Sequence, residues 1–198
     1  MIDRVVGGDD PAELRTVNRR TAHAWPEAIR RCRLFADLDE ATLKRVAVSV
    51  LEKRYLPGEV IFRHGEPAHE LLVIQSGRVA LQVTLPEAGM QESRKITVDV
   101  GAADDAIGWS ALVEPYVYTL TAVCLEATTA LSLGGARLRW LLGADSAAGY
   151  VVMREVARVI AGRLGQTRQV LISERSLAAR ASLAWTGRLK KVIGQLSP

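Results

Sequence analysis

The fold of this chain is decided by residues 71–85, which read LLVIQSGRVALQVTL. Two apolar runs flank the turn dipeptide Ser76-Gly77. In the second run the apolar residues stand at every other position: Val79, Leu81, Val83 and Leu85. A two-residue period places one face of a strand in the core and the other in water. The stretch therefore predicts two antiparallel strands joined by a tight turn.

The same pattern continues on both sides of this stretch. Short apolar runs cover Val60–Phe62 before it and residues 96–100, 118–125 and 127–133 after it. The polar residues 86–95 are typical of a hairpin loop. About seven or eight short strands thus occupy some eighty residues, with no helix long enough for parallel crossovers. The predicted fold is mainly β, an antiparallel β-barrel or jelly roll with flanking helices.

Helical signals surround the predicted barrel. Proline at the first helical position marks helix starts after Asp10 and at Trp25, and Asp39 is expected to cap a third helix. Asp145 or Ser146 is expected to cap one long helix. We therefore divide the chain into an N-terminal extension with short helices (1–33), the barrel (34–143), the long helix (144–174) and a basic amphipathic tail (175–198).

The long helix carries an apolar stripe that is wider than one contact surface requires. One side of the stripe could cover the barrel, and the other could pair with a second copy of the chain. We therefore expect a homodimer, with these interface residues: Val152, Val156, Val159, Ile160 and Leu164.

Positive charge is concentrated at the C-terminal end. The chain has a formal net charge of +4, and residues 168–198 hold six basic residues against one acid, so residues 1–167 sum to −1. The tail also carries Trp185 among apolar residues at helical spacing. Such a segment could dock on a protein partner, lie on an acidic surface or bind nucleic acid without sequence specificity. Packing against the rest of the protein is the alternative.

The composition excludes a largely disordered chain, because hydrophobic residues make up 48% and charged residues 24%. No apolar run approaches the roughly eighteen residues of a membrane span, and the first residues lack the apolar stretch of a signal peptide. We therefore expect a cytoplasmic protein without a membrane span. Cys32 and Cys124 match no disulfide or zinc spacing, so both are expected to be buried thiols.

Three motifs that could indicate an enzyme fail on spacing. His64 and His69 are separated by a glycine and a proline, whereas a helical zinc site needs two histidines four residues apart, so a polar turn is the better interpretation. The run from Gly108 to Leu112 resembles a nucleophile elbow, but Leu112 stands where the second glycine is needed. No glycine-rich loop precedes a lysine and a hydroxyl residue. We expect no catalytic residue, no metal and no cofactor other than a possible cyclic nucleotide ligand.

The order of several short motifs resembles the cyclic-nucleotide-binding domain, as in catabolite activator (cyclic AMP receptor) proteins and kinase regulatory subunits. The resemblance covers about residues 34–172 and rests on these motifs: Phe35-x-x-Leu38, Leu56-x-Gly58-x-x-Ile61, Gly65, Ile74-x-x-Gly77-x-Val79 and Ile107-Gly108. Each glycine alone is weak evidence, whereas the ordered set is specific. The resemblance implies the barrel fold and a ligand-binding regulatory role.

In that family the ligand lies in a phosphate-binding cassette. Backbone N–H groups and an arginine hold the cyclic phosphate, and a glutamate accepts a hydrogen bond from the ribose 2′-hydroxyl. Here Trp109 replaces the glutamate and Tyr118 stands where the arginine is expected. Because both polar anchors are missing, we expect cyclic AMP to bind weakly or not at all.

The resemblance carries the following candidate ligand-binding residues onto this chain: Gly108, Trp109, Ser110, Ala111, Leu112, Tyr118, Thr119, Thr121, Arg163 and Thr167. Ala111 would supply a backbone N–H, and Thr121 fills the hydroxyl position. The missing cation could come from Arg78, Arg163 or Arg168, although each is typical of a solvated surface charge.

Three functional hypotheses follow. The first is a stand-alone sensor that binds a small ligand, a cyclic nucleotide or a related nucleotide, and passes the signal through the long helix. The second is an interaction subunit whose pocket is filled by its own side chains, Trp109 foremost, and whose tail docks on a protein partner. The third is a DNA-associated regulator that acts through the basic tail. Because 27 residues follow Leu171, we expect neither a helix-turn-helix domain nor sequence-specific nucleic acid binding.

Overall fold

A computed structural model describes residues 24–85 and 94–194 of the chain. The chain divides into two units, Met1–Ala157 and Arg158–Pro198. The helix expected after Asp10 lies outside the described residues.

The described part of the first unit holds eight β-strands: β1 (Leu51–Tyr55), β2 (Val60–Phe62), β3 (Glu70–Ser76), β4 (Val79–Leu85), β5 (Arg94–Gly101), β6 (Ala106–Ile107), β7 (Thr121–Cys124) and β8 (Thr128–Gly134). They form two four-stranded sheets in the orders β1-β8-β3-β6 and β2-β7-β4-β5. Every pairing between neighbouring strands is antiparallel. The predicted antiparallel barrel or jelly roll is confirmed.

Two of the β4 residues that the two-residue period assigns to the core lie in the barrel interior, whereas Val83 is half-buried and the Leu85 side chain lies outside the described residues. Val79 and Leu81 of β4 are buried beside Leu72 and Ile74 of β3 in one hydrophobic cluster. On β3 the intervening residues Leu71 and Val73 are buried as well, so both faces of this strand are covered. A strand buried on both faces reads as a continuous apolar run, which is what the sequence shows.

Three short helices cover the first unit: α1 (Trp25–Arg31), α2 (Glu40–Ala47) and α3 (Gly135–Ala144). The predicted starts at Trp25 and after Asp39 are confirmed. The Asp39 side chain caps α2 by accepting a hydrogen bond from the Thr42 amide at 2.9 Å. Cys32 and Cys124 are both buried free thiols, as expected, and burial raises the pKa of Cys32 to about 12.

The long helix α4 (Ser146–Gly194) begins in the first unit. Asp145 precedes it and accepts a hydrogen bond from the Ala148 amide at 3.1 Å, which confirms the expected cap. Arg45 of α2 holds the same carboxylate at 2.8 Å. In the described ranges, no helix is both long enough and apolar enough to cross a membrane.

Two sequence-based details are corrected by the structure. Val152 and Val156 are 0% and 1% exposed within the single chain, so the prediction that they pair with a second copy is wrong: they belong to the core of the first unit. The strand expected over 118–125 is shorter, Thr121–Cys124, and the strand expected over 127–133 is shifted by one residue, to Thr128–Gly134. The first is shortened because residues 116–118 pair with a different segment, described below.

Candidate functional site

The segment that the resemblance identifies as the cassette, residues 108–112, begins where β6 ends. Gly108 adopts a left-handed backbone (φ 76°) and leads into a 3-10 helix, Trp109–Leu112. A Cβ atom at Gly108 would lie 2.8 Å from the Glu70 carbonyl oxygen, so both the backbone angle and the space require glycine. The Ala111 amide donates to the Gly108 carbonyl at 3.0 Å. The N–H group that was expected to face a phosphate is therefore engaged inside the 3-10 helix.

The loop after the cassette pairs with the loop between β2 and β3. The Ala68 amide donates to Tyr116 O at 2.7 Å, the Tyr118 amide to Glu66 O at 2.9 Å, and the Gly65 amide to Tyr118 O at 2.8 Å. These bonds explain why β7 starts only at Thr121. They also place the segment from His64 to His69 in a turn between strands, as the sequence indicated, and they fix the direction of the Tyr118 side chain.

Tyr118 points into the barrel and is 6% exposed. Its ring stacks on Phe62, with the ring centres 3.9 Å apart and the planes 10° from parallel. Its hydroxyl donates to the Glu70 carbonyl at 2.9 Å and accepts from the Glu70 amide at 3.2 Å. Burial raises the pKa of Tyr118 above its ordinary value. The position at which the family resemblance leads us to expect an arginine thus holds a neutral, buried and fully engaged aromatic side chain.

A polar group that the sequence did not reveal lies beside Tyr118. Lys53 Nζ is 2.6 Å from both carboxylate oxygens of Glu70, and Ser132 Oγ donates to the same carboxylate at 2.9 Å. The three residues come from β1, β3 and β8. Their contact depends on the strand register, which no local sequence pattern indicates. The lysine charge is balanced by Glu70.

A second unforeseen residue is Arg139 of α3. Its Nη1 donates to the Ala111 carbonyl at 2.5 Å, and its guanidinium lies 4.0 Å from the centre of the Tyr116 ring. The cassette is therefore contacted by Tyr118 on the barrel side and by Arg139 on the α3 side.

The other candidate residues are distributed as follows. Ser110, Ala111 and Leu112 are buried, Trp109 is half-buried and Thr119 is exposed. The Thr121 hydroxyl accepts a hydrogen bond from the His64 amide at 3.1 Å, so it serves the neighbouring turn.

The proposed substitute cations lie in different parts of the chain. Arg78 is exposed in the turn between β3 and β4. Arg163 and Arg168 belong to the second unit, and the Thr167 side chain lies outside the described residues. No group of three or more His, Cys, Asp or Glu side chains among residues 24–85 and 94–173 could hold a metal ion.

Comparison with known proteins gives the same assignment as the fold. Residues 52–145 match the family model of the cyclic nucleotide-binding domain. A candidate cyclic nucleotide-binding protein from Geobacter metallireducens is 32% identical, with 70% of this chain and 97% of that chain covered and a TM-score of 0.59. The N-terminal domain of a transcriptional regulator from Streptomyces coelicolor is 28% identical, with 73% and 94% covered and a TM-score of 0.55.

A curated relative is a candidate potassium channel protein from Rhodopseudomonas palustris, 25% identical over 146 residues, which are 74% of this chain. The chain spans 33% of the length of that relative. The matches agree with the antiparallel barrel fold of this chain. This chain belongs to the cyclic nucleotide-binding domain family.

Proposed function

We propose that this chain is a regulatory module that acts without a conventional cyclic AMP site. The observation that carries the proposal is the buried Tyr118, whose ring stacks on Phe62 and whose hydroxyl makes two hydrogen bonds to the Glu70 backbone. The corner of the barrel interior beside Phe62 and Gly108, where we place the cyclic phosphate of a conventional site, is thus occupied by the Tyr118 side chain. Of the functional hypotheses from the sequence, this geometry favours the interaction subunit, with Tyr118 rather than Trp109 as the filling side chain.

The energetics support this choice. A phosphate without its arginine loses a charge-assisted hydrogen bond, worth roughly 1.5–3 kcal/mol, or about one to two decades in affinity. To enter the corner, a nucleotide would also have to displace Tyr118, which breaks its stacking and its two backbone hydrogen bonds. Lys53 does not offset this loss, because its charge is already balanced by Glu70 at 2.6 Å.

Restoring the two anchors tests the proposal. We expect the double variant Trp109→Glu, Tyr118→Arg to bind cyclic AMP at least about tenfold more tightly than the unmodified chain in titration calorimetry, because it regains the charged partner of the phosphate. Tyr118→Phe is the matched control: it removes the hydroxyl but adds no cation. An equal gain in Tyr118→Phe would show that the missing charge is not what limits binding.

The regulatory output is proposed to pass through α4, which pairs with a second copy. Val159 and Ile160 are partly exposed and Leu164 is 69% exposed. These three of the five predicted interface residues are therefore still accessible to a second copy. Ile160 and Leu164 are four residues apart and share one helix face. A charged side chain on this face would have to be buried in a dimer without a partner.

We therefore expect Ile160→Arg to convert the dimer into a monomer in light scattering at tens of micromolar protein, a range of ordinary dimer affinities. Gln169→Arg is the control, because Gln169 is exposed and nine residues further along, on the opposite side of the helix. A monomeric unmodified chain under these conditions would contradict the proposed dimer.

A further inference from the structure

Arg139 contacts the cassette and the loop that follows it from the side of α3. Arg139 contacts the 3-10 helix through the Ala111 carbonyl at 2.5 Å and contacts the following loop through the Tyr116 ring at 4.0 Å. Tyr116 has a left-handed backbone, with φ 59°, and its hydroxyl donates to the Glu114 carboxylate at 3.4 Å. Arg139 therefore joins two consecutive segments of the cassette region to α3.

The start of α3 explains how Arg139 reaches these groups. The Gly135 amide donates to the His69 carbonyl at 2.7 Å. A Cβ atom at Gly135 would lie 2.9 Å from both the side chain and the carbonyl oxygen of Ala111. The first turn of α3 thus lies directly against the cassette. Arg139 follows four residues later, which brings it to the same face of the helix.

Both contacts are of a kind that orders a short segment. A carbonyl in the last turn of a helix has no partner within its own helix, and a charged donor satisfies it more strongly than a neutral one. A guanidinium over a tyrosine face adds an attraction that a flexible loop would lose on opening. A 3-10 helix of four residues, Trp109–Leu112, has little stability of its own.

We propose that Arg139 is a positioning residue that keeps the cassette closed without a nucleotide, through the Ala111 carbonyl and the Tyr116 ring. This inference rests on the proposed function and deepens it: Tyr118 closes the barrel side of the cassette, and Arg139 closes the α3 side. The cassette then has one ordered conformation that is set by the chain itself.

Hydrogen exchange of the full chain, followed by mass spectrometry and without any ligand, tests this role. We expect Arg139→Gln to accelerate exchange of the amides of residues 108–116 by about tenfold, because a charged hydrogen bond and a cation–π contact are both lost. Arg137→Gln is the matched control, since Arg137 lies on the same helix and is exposed. Arg139→Lys should give an intermediate rate, because an ammonium can donate to the carbonyl but lacks the planar guanidinium.

The amides of β3 and β8 should keep their exchange rates in Arg139→Gln. Equal cassette rates in Arg139→Gln and Arg137→Gln would overturn the proposal. An equal acceleration in β3 and β8 would overturn it too, since Arg139 would then support the whole barrel rather than the cassette. Tight cyclic AMP binding by the unmodified chain would contradict the proposed function while leaving this exchange result unchanged, so the two failures are distinguishable.

Discussion

Replacing Tyr118 with alanine is expected to lower the free energy of unfolding of the first unit by about 3–5 kcal/mol, the range for removing a large buried aromatic side chain. The ring fills the space beside Phe62 and Gly108, and the hydroxyl satisfies both the amide and the carbonyl of Glu70. The substitution would leave a cavity and two backbone groups without their partner. Urea unfolding followed by tryptophan fluorescence measures the change.

Two control variants separate the contributions. Tyr118→Phe keeps the ring and should lose about 1–3 kcal/mol, the cost of leaving a donor and an acceptor unsatisfied. Tyr150→Ala should change stability by less than about 0.5 kcal/mol, because Tyr150 is 69% exposed. If Tyr118→Ala were no more damaging than Tyr150→Ala, Tyr118 could not be the side chain that fills the corner.

Gly108→Ala is expected to have the second largest effect, a loss of about 2–4 kcal/mol of unfolding free energy, from backbone strain and a steric clash together. Its φ is 76°, and the new Cβ would lie 2.8 Å from the Glu70 carbonyl oxygen. Since that oxygen belongs to the backbone of a buried strand, it cannot move away without disturbing β3. The same unfolding measurement applies.

Gly65→Ala provides the matched comparison. Gly65 also has a positive φ, 85°, but a Cβ there would meet nothing within 4 Å. Its substitution should therefore carry only the conformational penalty, about 1 kcal/mol. Equal losses in the two variants would show that the close approach of the cassette to β3 contributes nothing to stability.

The sequence predicted the barrel well because its strands are encoded locally. Alternating apolar residues over β4 are typical of a strand with one buried face, and the continuous apolar run of β3 is typical of a strand with two. Helix caps are equally local: Asp39 caps α2 as predicted, and Asp145, one of the two candidates for the long helix, caps α4. Such features need no knowledge of distant contacts.

The site was predicted only in part, because its geometry depends on contacts between distant segments. The family resemblance implies that Tyr118 stands in place of an anchoring arginine, but its inward direction is set by pairing between residues 65–68 and 116–118. The interaction-subunit hypothesis has Trp109 filling the pocket, whereas Trp109 is half-buried and Tyr118 is the enclosed residue. Arg139 depends on the close approach of α3 to the cassette at Gly135, which no local pattern signals.

The width of the apolar stripe on α4 also does not indicate which of its residues are buried in the core and which stay exposed. Val152 and Val156 are buried in the core of the first unit, while Leu164 stays exposed. Helical periodicity indicates that both faces are apolar, but the partner of each face is decided by tertiary packing.

Titration of the unmodified chain with cyclic AMP in a calorimeter tests the central claim most directly. The claim is that Tyr118 occupies the place of the phosphate anchor. It predicts no binding, or a dissociation constant weaker than about 1 μM, which corresponds to about −8 kcal/mol. A dissociation constant tighter than about 1 μM would contradict it, because the chain would then hold the cyclic phosphate despite the buried tyrosine.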